Sequence, residues 1–173
     1  MRLRKRSNRA ISATKHLANL NFNKQTYYAI AIFLALTIPI GYVHEIGHAL
    51  VCDYEHLDHK ITIKSFGITT KCSGQPQNFT LFTASGGVLA SLVSITMFAL
   101  IPYRPAKIAL VSLAVIHAVN ALVETFLYNS YRQNPQMWSI ILNTLNIAVF
   151  ILFIKLYEKP KLIPKQTKCL NDI

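Results

Sequence analysis

Four long stretches nearly free of charged residues constrain this chain more than any other feature. A helix that crosses a bilayer needs about 20 mainly apolar residues, and residues 27–51, 79–103, 106–128 and 137–157 all reach that length. In a chain of 173 residues they leave no room for a separate soluble domain. With 52% hydrophobic and 14% charged residues, the composition is too apolar for an ordinary soluble domain. The expected fold is therefore all-α integral membrane, with four transmembrane helices. Pro102 and Pro105 bracket a tight turn between the second and third spans, and Asn134-Pro135 marks the turn before the fourth.

Residues 52–78, between the first two spans, are polar. From Lys60 to Lys71, β-branched and polar residues alternate on either side of Gly67. That pattern predicts a small β hairpin between helices 1 and 2. A plain extended connection is the alternative, because an isolated two-stranded hairpin is only marginally stable.

The formal net charge of +11 comes mainly from the two ends, so the basic residues read as anchors facing anionic lipid rather than a nucleic-acid surface. Fourteen Lys and Arg residues fall in the N-terminal arm (1–26), the 102–107 loop and the tail from Lys155; only Lys60, Lys64, Lys71 and Arg132 fall on the other side. The positive-inside rule then puts both termini, including the 158–173 tail, in the cytosol and the hairpin outside. An acid-free basic N-terminus also fits an organelle transit peptide, but the recurring bias favours a retained arm. Cys52 and Cys72 share one side, so a disulfide between them is open, whereas Cys169 is on the other. Asn78-Phe79-Thr80 is a formal glycosylation acceptor that abuts the membrane.

The chemistry centres on His44-Glu45-Ile46-Gly47-His48 near the end of the first span. Two histidines four apart stack on one helix face and can hold one cation through their imidazole nitrogens. Glu45 lies about 100° round the helix, placed to take a proton from a catalytic water without ligating. Ionisable side chains inside a bilayer are costly unless paired, metal-bound or facing a water-filled cavity. Gly47 and Ala49 leave room for another helix or a substrate backbone to approach.

A catalytic zinc takes three protein ligands and leaves the fourth position open. Antiparallel spans put the ends of spans one and three at the same face, and there Glu124 reaches about the depth of His48. Asn120 and His117 precede it by one and two turns on the same stripe. Glu124 ranks first as third ligand because an anion suits zinc, Asn120 second, and His117 third, about 10 Å farther along the helix. Asn120 could instead orient a bound peptide. Asp53, Glu55, His56, Asp58 and His59 form a further polar cluster, more consistent with a solvated loop than with a second cation site.

His44-Glu45-Ile46-Gly47-His48-Ala49-Leu50 at the end of an apolar span resembles the metal motif of the site-2 proteases, the intramembrane zinc metalloproteases. Ser85-Gly86-Gly87-Val88-Leu89-Ala90-Ser91 is similar to that family's Gly-Pro-Leu-Ala-Asn stretch, with Val88 for Pro and Ser91 for Asn. A hairpin between those helices is also a family feature. Asn120-Ala121-Leu122-Val123-Glu124 falls where the family has an Asn-Pro segment leading to an Asp-Gly that supplies the third ligand; here Pro and Gly are missing and Glu replaces Asp. The resemblance covers roughly residues 27–128. It implies one Zn2+ per chain, substrate contact at Gly86 and Gly87, and a metal toward the cytosolic side, the opposite of the side given by the charge count.

The resulting expectation is a minimal zinc metalloendopeptidase that cleaves in or next to transmembrane segments of membrane proteins, with Glu45 as base and His44, His48 and Glu124 as ligands. Two alternatives stand beside it: an integral-membrane gluzincin of the CAAX-processing or heat-shock type, and a catalytically inactive relative that binds membrane proteins.

Overall fold

The computed structural model describes residues 24–64 and 67–158. Most of the basic N-terminal arm, the tail beyond residue 158 and Cys169 lie outside the described residues. In chain order the elements are α1 (Lys24–Tyr54), β1 (His59–Lys64), β2 (Gly67–Cys72), α2 (Phe79–Leu100), α3 (Arg104–Phe126), α4 (Tyr128–Gln133) and α5 (Pro135–Glu158). Four helices, Lys24–Tyr54, Phe79–Leu100, Arg104–Phe126 and Gln136–Tyr157, are long and apolar enough to cross a membrane, which fits a multi-pass membrane protein.

Several hydroxyls inside these helices find partners in their own backbone. The Ser94 hydroxyl donates to the Ala90 carbonyl and that of Ser112 to Ile108, four residues back in each case. Pro39, inside α1, removes one helical N–H, a loss that a membrane helix tolerates when its surroundings compensate.

The helix ends follow local chemistry. α1 closes with a Schellman motif: Leu57 N–H bonds the Cys52 carbonyl at 2.8 Å and His56 N–H bonds that of Asp53 at 3.0 Å. This puts His56 in the left-handed region at φ 55, the one non-glycine residue with positive φ among the described residues. Asn78 caps α2, its side-chain oxygen accepting from Leu81 N–H at 3.0 Å. Glu55 accepts from the backbone of Gln77 and Asn78 at 2.6 and 2.9 Å and so ties the end of α1 to the start of α2. His59 pairs with Asp53 at 2.7 Å. Four members of the polar cluster after the first span, Asp53, Glu55, His56 and His59, are thus engaged in local structure.

The third helix differs from its expected limits. It stops at Phe126, and Tyr128 opens the short α4 instead. The Tyr128 ring packs edge-on against Phe79, centroids 4.3 Å apart, which draws the chain across the start of α2. The first helix also runs past both ends of its expected span.

α3 is the most buried of the four long helices. It packs against α1, α2 and α5, with Leu110 and Leu113 inside. Ile40, Ala90 and Leu113 join α1, α2 and α3 in one cluster. Ala29, Ile108, Phe150 and Ile154 join α1, α3 and α5 in a second, where the Phe33 and Phe150 rings stack at 4.3 Å. At that end of the bundle Arg104 also donates to the Tyr157 carbonyl.

The hairpin pairs antiparallel from His59↔Cys72 to Lys64↔Gly67, so Gly67 opens β2 rather than centring the turn; residues 65 and 66 lie outside the described residues. Two fastenings hold it on α1. Cys52 and Cys72 form a disulfide with Cα atoms 5.7 Å apart, and the Thr70 hydroxyl donates to the Glu45 carbonyl at 2.9 Å. They supply the packing partner that a lone hairpin needs.

Candidate metal centre

His44 and His48 project from one face of α1 and are buried, at 6% and 8% exposure. Glu124 reaches them from α3. His44 Nε2 lies 3.1 Å from His48 Nε2 and 3.4 Å from Glu124 Oε1, and His48 Nε2 lies 3.5 Å from Glu124 Oε2. Among the described residues this is the single group of three or more His, Cys, Asp or Glu side chains whose donor atoms converge closely enough to hold a metal ion.

The separations fit such an ion. Metal–nitrogen and metal–oxygen bonds of about 2.0–2.1 Å in a tetrahedron give edges of about 3.3–3.4 Å; the two Nε2 atoms are 3.1 Å apart, each lies 3.4 or 3.5 Å from a different oxygen of Glu124, and one ligand atom from each residue falls within 4.8 Å of the others. The donor set, two imidazoles and a carboxylate, suits a divalent transition metal.

The imidazoles are oriented from behind. His48 Nδ1 lies 2.6 Å from the Phe82 carbonyl, which can only accept, so Nδ1 carries the proton and Nε2 keeps its lone pair for the centre. His44 Nδ1 lies 3.3 Å from Nδ1 of buried His117. With that proton on His44, its Nε2 is free as well. His117 therefore stands behind a donor rather than in the donor triangle, the arrangement that fixes ring orientation around metals.

Close helix contacts bring the groups together. A Cβ on Gly47 would come 2.5 Å from the Ser85 carbonyl oxygen, and one on Gly86 would come 2.5 Å from His48 Nε2. A Cβ on Gly87 would collide with the His117 carbonyl and with Ala121. The space beside Gly86 and Gly87 is filled by the protein's own atoms, so the role the structure gives them is to seat α2 against α1 and α3.

Glu45 borders two cavities that flank the hairpin. One, of about 190 Å³, reaches His48, Thr70, Phe82 and Tyr128. The other, of about 480 Å³, runs between α1, α3 and α5 past His44 and Glu124. Ile68 of β2 lines both. Asn120 lines the larger one and is absent from the donor triangle; its Oδ1 is the one buried side-chain polar atom without a partner among the described residues.

Sequence reasoning missed four contributors. The Phe82 carbonyl carries no side-chain signal. Thr70 could be placed only once the hairpin's register was known. Asn143 and Asn146 of α5 also line the larger cavity, and amides within an apolar span were a signal available for them. No family model, curated protein or solved structure matches the chain.

Proposed function

We propose that the chain is an intramembrane zinc metalloendopeptidase that cleaves peptide bonds in or next to transmembrane segments of other proteins. The observation that carries this reading is the convergence of His44, His48 and Glu124, with the two Nε2 atoms 3.1 Å apart and a different Glu124 oxygen 3.4 and 3.5 Å from each, in an apolar bundle and beside the Glu45 carboxylate. Structural zinc sites are closed by four protein ligands. Three donors and an adjoining cavity favour a catalytic one.

His44, His48 and Glu124 hold the Zn2+, one per chain. When bound, the ion supplies Lewis acidity toward a peptide carbonyl and lowers the pKa of a coordinated water. Glu45, one residue from His44 and facing both cavities, takes the water's proton and delivers it to the leaving amine. His117 and the Phe82 carbonyl hold the imidazole tautomers, while the surrounding apolar helices limit bulk water. A helical substrate hides its carbonyls and must unwind locally. β2, fastened above the site at Thr70, offers an edge to which an extended segment can add.

The proposed placement is multi-pass with both termini cytosolic. The disulfide supports that orientation, because such bonds persist on oxidising faces. The membrane gluzincin alternative shares the histidine pair and a Glu ligand, but the hairpin and the Gly86-Gly87 contact favour the first reading.

Zinc analysis and cleavage of a membrane-protein substrate by purified protein, wild type beside Glu45→Gln and His48→Ala, test the reading. Glu45→Gln is expected to keep its zinc and lose cleavage, whereas His48→Ala loses the zinc itself. Substantial cleavage by Glu45→Gln would sink the proposal; a wild type without stoichiometric zinc would leave the inactive relative.

A further inference from the structure

Strand β2 lies against the metal centre by one of its faces. Ile68, Thr70 and Cys72 are half-buried and alternate with exposed Gly67, Thr69 and Lys71, the period-two pattern of a strand covered on one side. Each of the three covered residues meets a different part of the site. Ile68 lines both cavities, and each of these also reaches Glu45. Thr70 lines the smaller cavity with His48 and Glu124 and donates to the Glu45 carbonyl at 2.9 Å. Cys72 is bonded to Cys52, four residues past His48 on α1.

The two fastenings are unequal. Thr70 makes one neutral hydrogen bond, whose net worth is small because water competes for both groups, and a lone two-stranded hairpin is only marginally stable. The disulfide is covalent. Its oxidation state therefore sets how firmly the strand covers the centre. The bond is also more open on one side, since Cys52 is fully buried and Cys72 only half so. A dithiol reductant then meets Cys72 first. Its thiolate attacks the Cys72 Sγ, the S–S bond breaks, and Cys52 leaves as a thiolate that takes up a proton. The second thiol of the reductant displaces Cys72, which is protonated in turn. Two electrons and two protons pass to the cysteine pair, and the reductant leaves as a disulfide.

Covering the centre matters because of how an ion must arrive. In a bilayer a cation does not pass between the apolar outer faces of α1, α3 and α5. It comes from the end of the bundle that carries the hairpin.

We propose that β2 is a redox-fastened strap over the metal centre: with Cys52 and Cys72 joined it bars aqueous ions from His44, His48 and Glu124, and reduction by a dithiol lets the strand lift and admits them. The strap depends on these three side chains holding a divalent transition metal and not on peptide cleavage.

Full-length protein in lipid nanodiscs, freed of metal, tests this with Co2+, whose visible bands report its binding. One sample stays oxidised; the other is reduced with dithiothreitol and cleared of it under nitrogen. A strap that does not touch the ion changes entry and exit by one factor and leaves affinity alone, whereas a brace that shapes the donors changes the affinity. Reduction is expected to speed both Co2+ entry and Co2+ release to a chelator by about tenfold, as a tenfold larger open population would, with Kd unchanged. The Cys52→Ser/Cys72→Ser double variant should show the fast rates with or without dithiothreitol; having no thiol at either position, it also excludes coordination by the freed cysteines. Thr70→Val with the disulfide intact should stay slow.

Rates indifferent to reduction overturn the strap. A weaker Kd after reduction does so too, making the disulfide a brace, and a fast Thr70→Val assigns the closure to the hydrogen bond instead. Absence of Co2+ binding in both redox states removes the metal centre, and with it both the strap and the peptidase reading, whereas binding at redox-independent rates removes the strap alone.

Discussion

Glu124 is where the chemistry is most exposed to test at the level of single residues. Its two oxygens lie 3.4 and 3.5 Å from the two Nε2 atoms, one oxygen to each histidine. His117 touches only the far side of His44, and Asn120 stands off in the cavity. Glu124→Ala is therefore expected to lower zinc occupancy about as much as His44→Ala. His117→Ala should fill at saturating zinc yet bind it ~10–100-fold more weakly, the usual cost of losing an orienting partner. Asn120→Ala should hold zinc normally and lose turnover. Zinc per protein across a buffered zinc series decides it, and full occupancy in Glu124→Ala at limiting zinc would move the third ligand elsewhere.

At the level of elements, two contacts hold the site together. Where α1 meets α2, a Cβ at Gly47 would lie 2.5 Å from a main-chain oxygen and 2.7 Å from the Gly86 Cα, so the backbone itself must move. At Gly41, six residues or about 1.7 turns earlier, a Cβ meets nothing within 4 Å. Gly47→Ala should lower the thermal midpoint in detergent and reduce zinc content, and Gly41→Ala should do neither; matching behaviour of the two variants would show that the α1–α2 contact does not position the histidines. The second contact is the disulfide, which closes a loop with sequence separation 20. Chain-entropy reasoning assigns a loop of that size about 3 kcal/mol. Cys72→Ser, or dithiothreitol, should therefore lower the midpoint clearly, and an unchanged midpoint would mean that Thr70 and the hairpin's packing suffice.

For the molecule as a whole, orientation is the open choice, and two independent features favour the same answer. Under the positive-inside rule, fourteen basic residues against four favour the proposed placement of both termini in the cytosol. The Cys52–Cys72 bond, near the candidate metal centre, favours an oxidising face for that end of the bundle, the side opposite the proposed cytosolic termini. Tags at residues 1 and 173 should then be cut in sealed vesicles by protease added to the cytosolic side. Protection of both tags would reverse the topology, bring the centre to the side usual for site-2 proteases, and require the disulfide to persist in a reducing compartment.

The sequence by itself determined the features that depend on near neighbours. Span number follows from apolar length, the histidine pair from its i, i+4 spacing, and the hairpin from period-two alternation and Gly67. The depth of Glu124 was legible too, because antiparallel spans fix height along the membrane normal. Rotation about the helix axis was not. His117, Asn120 and Glu124 share one stripe of α3, but the stripe does not say which of the three faces His44 and His48, so they stayed open as alternatives. Tertiary packing decided among them: Gly47, Gly86 and Gly87 let three backbones close up, turning Glu124 toward both Nε2 atoms, His117 behind His44, and Asn120 into the cavity. The disulfide was decided the same way, since only the docked hairpin brings the Cys52 and Cys72 Cα atoms within 5.7 Å.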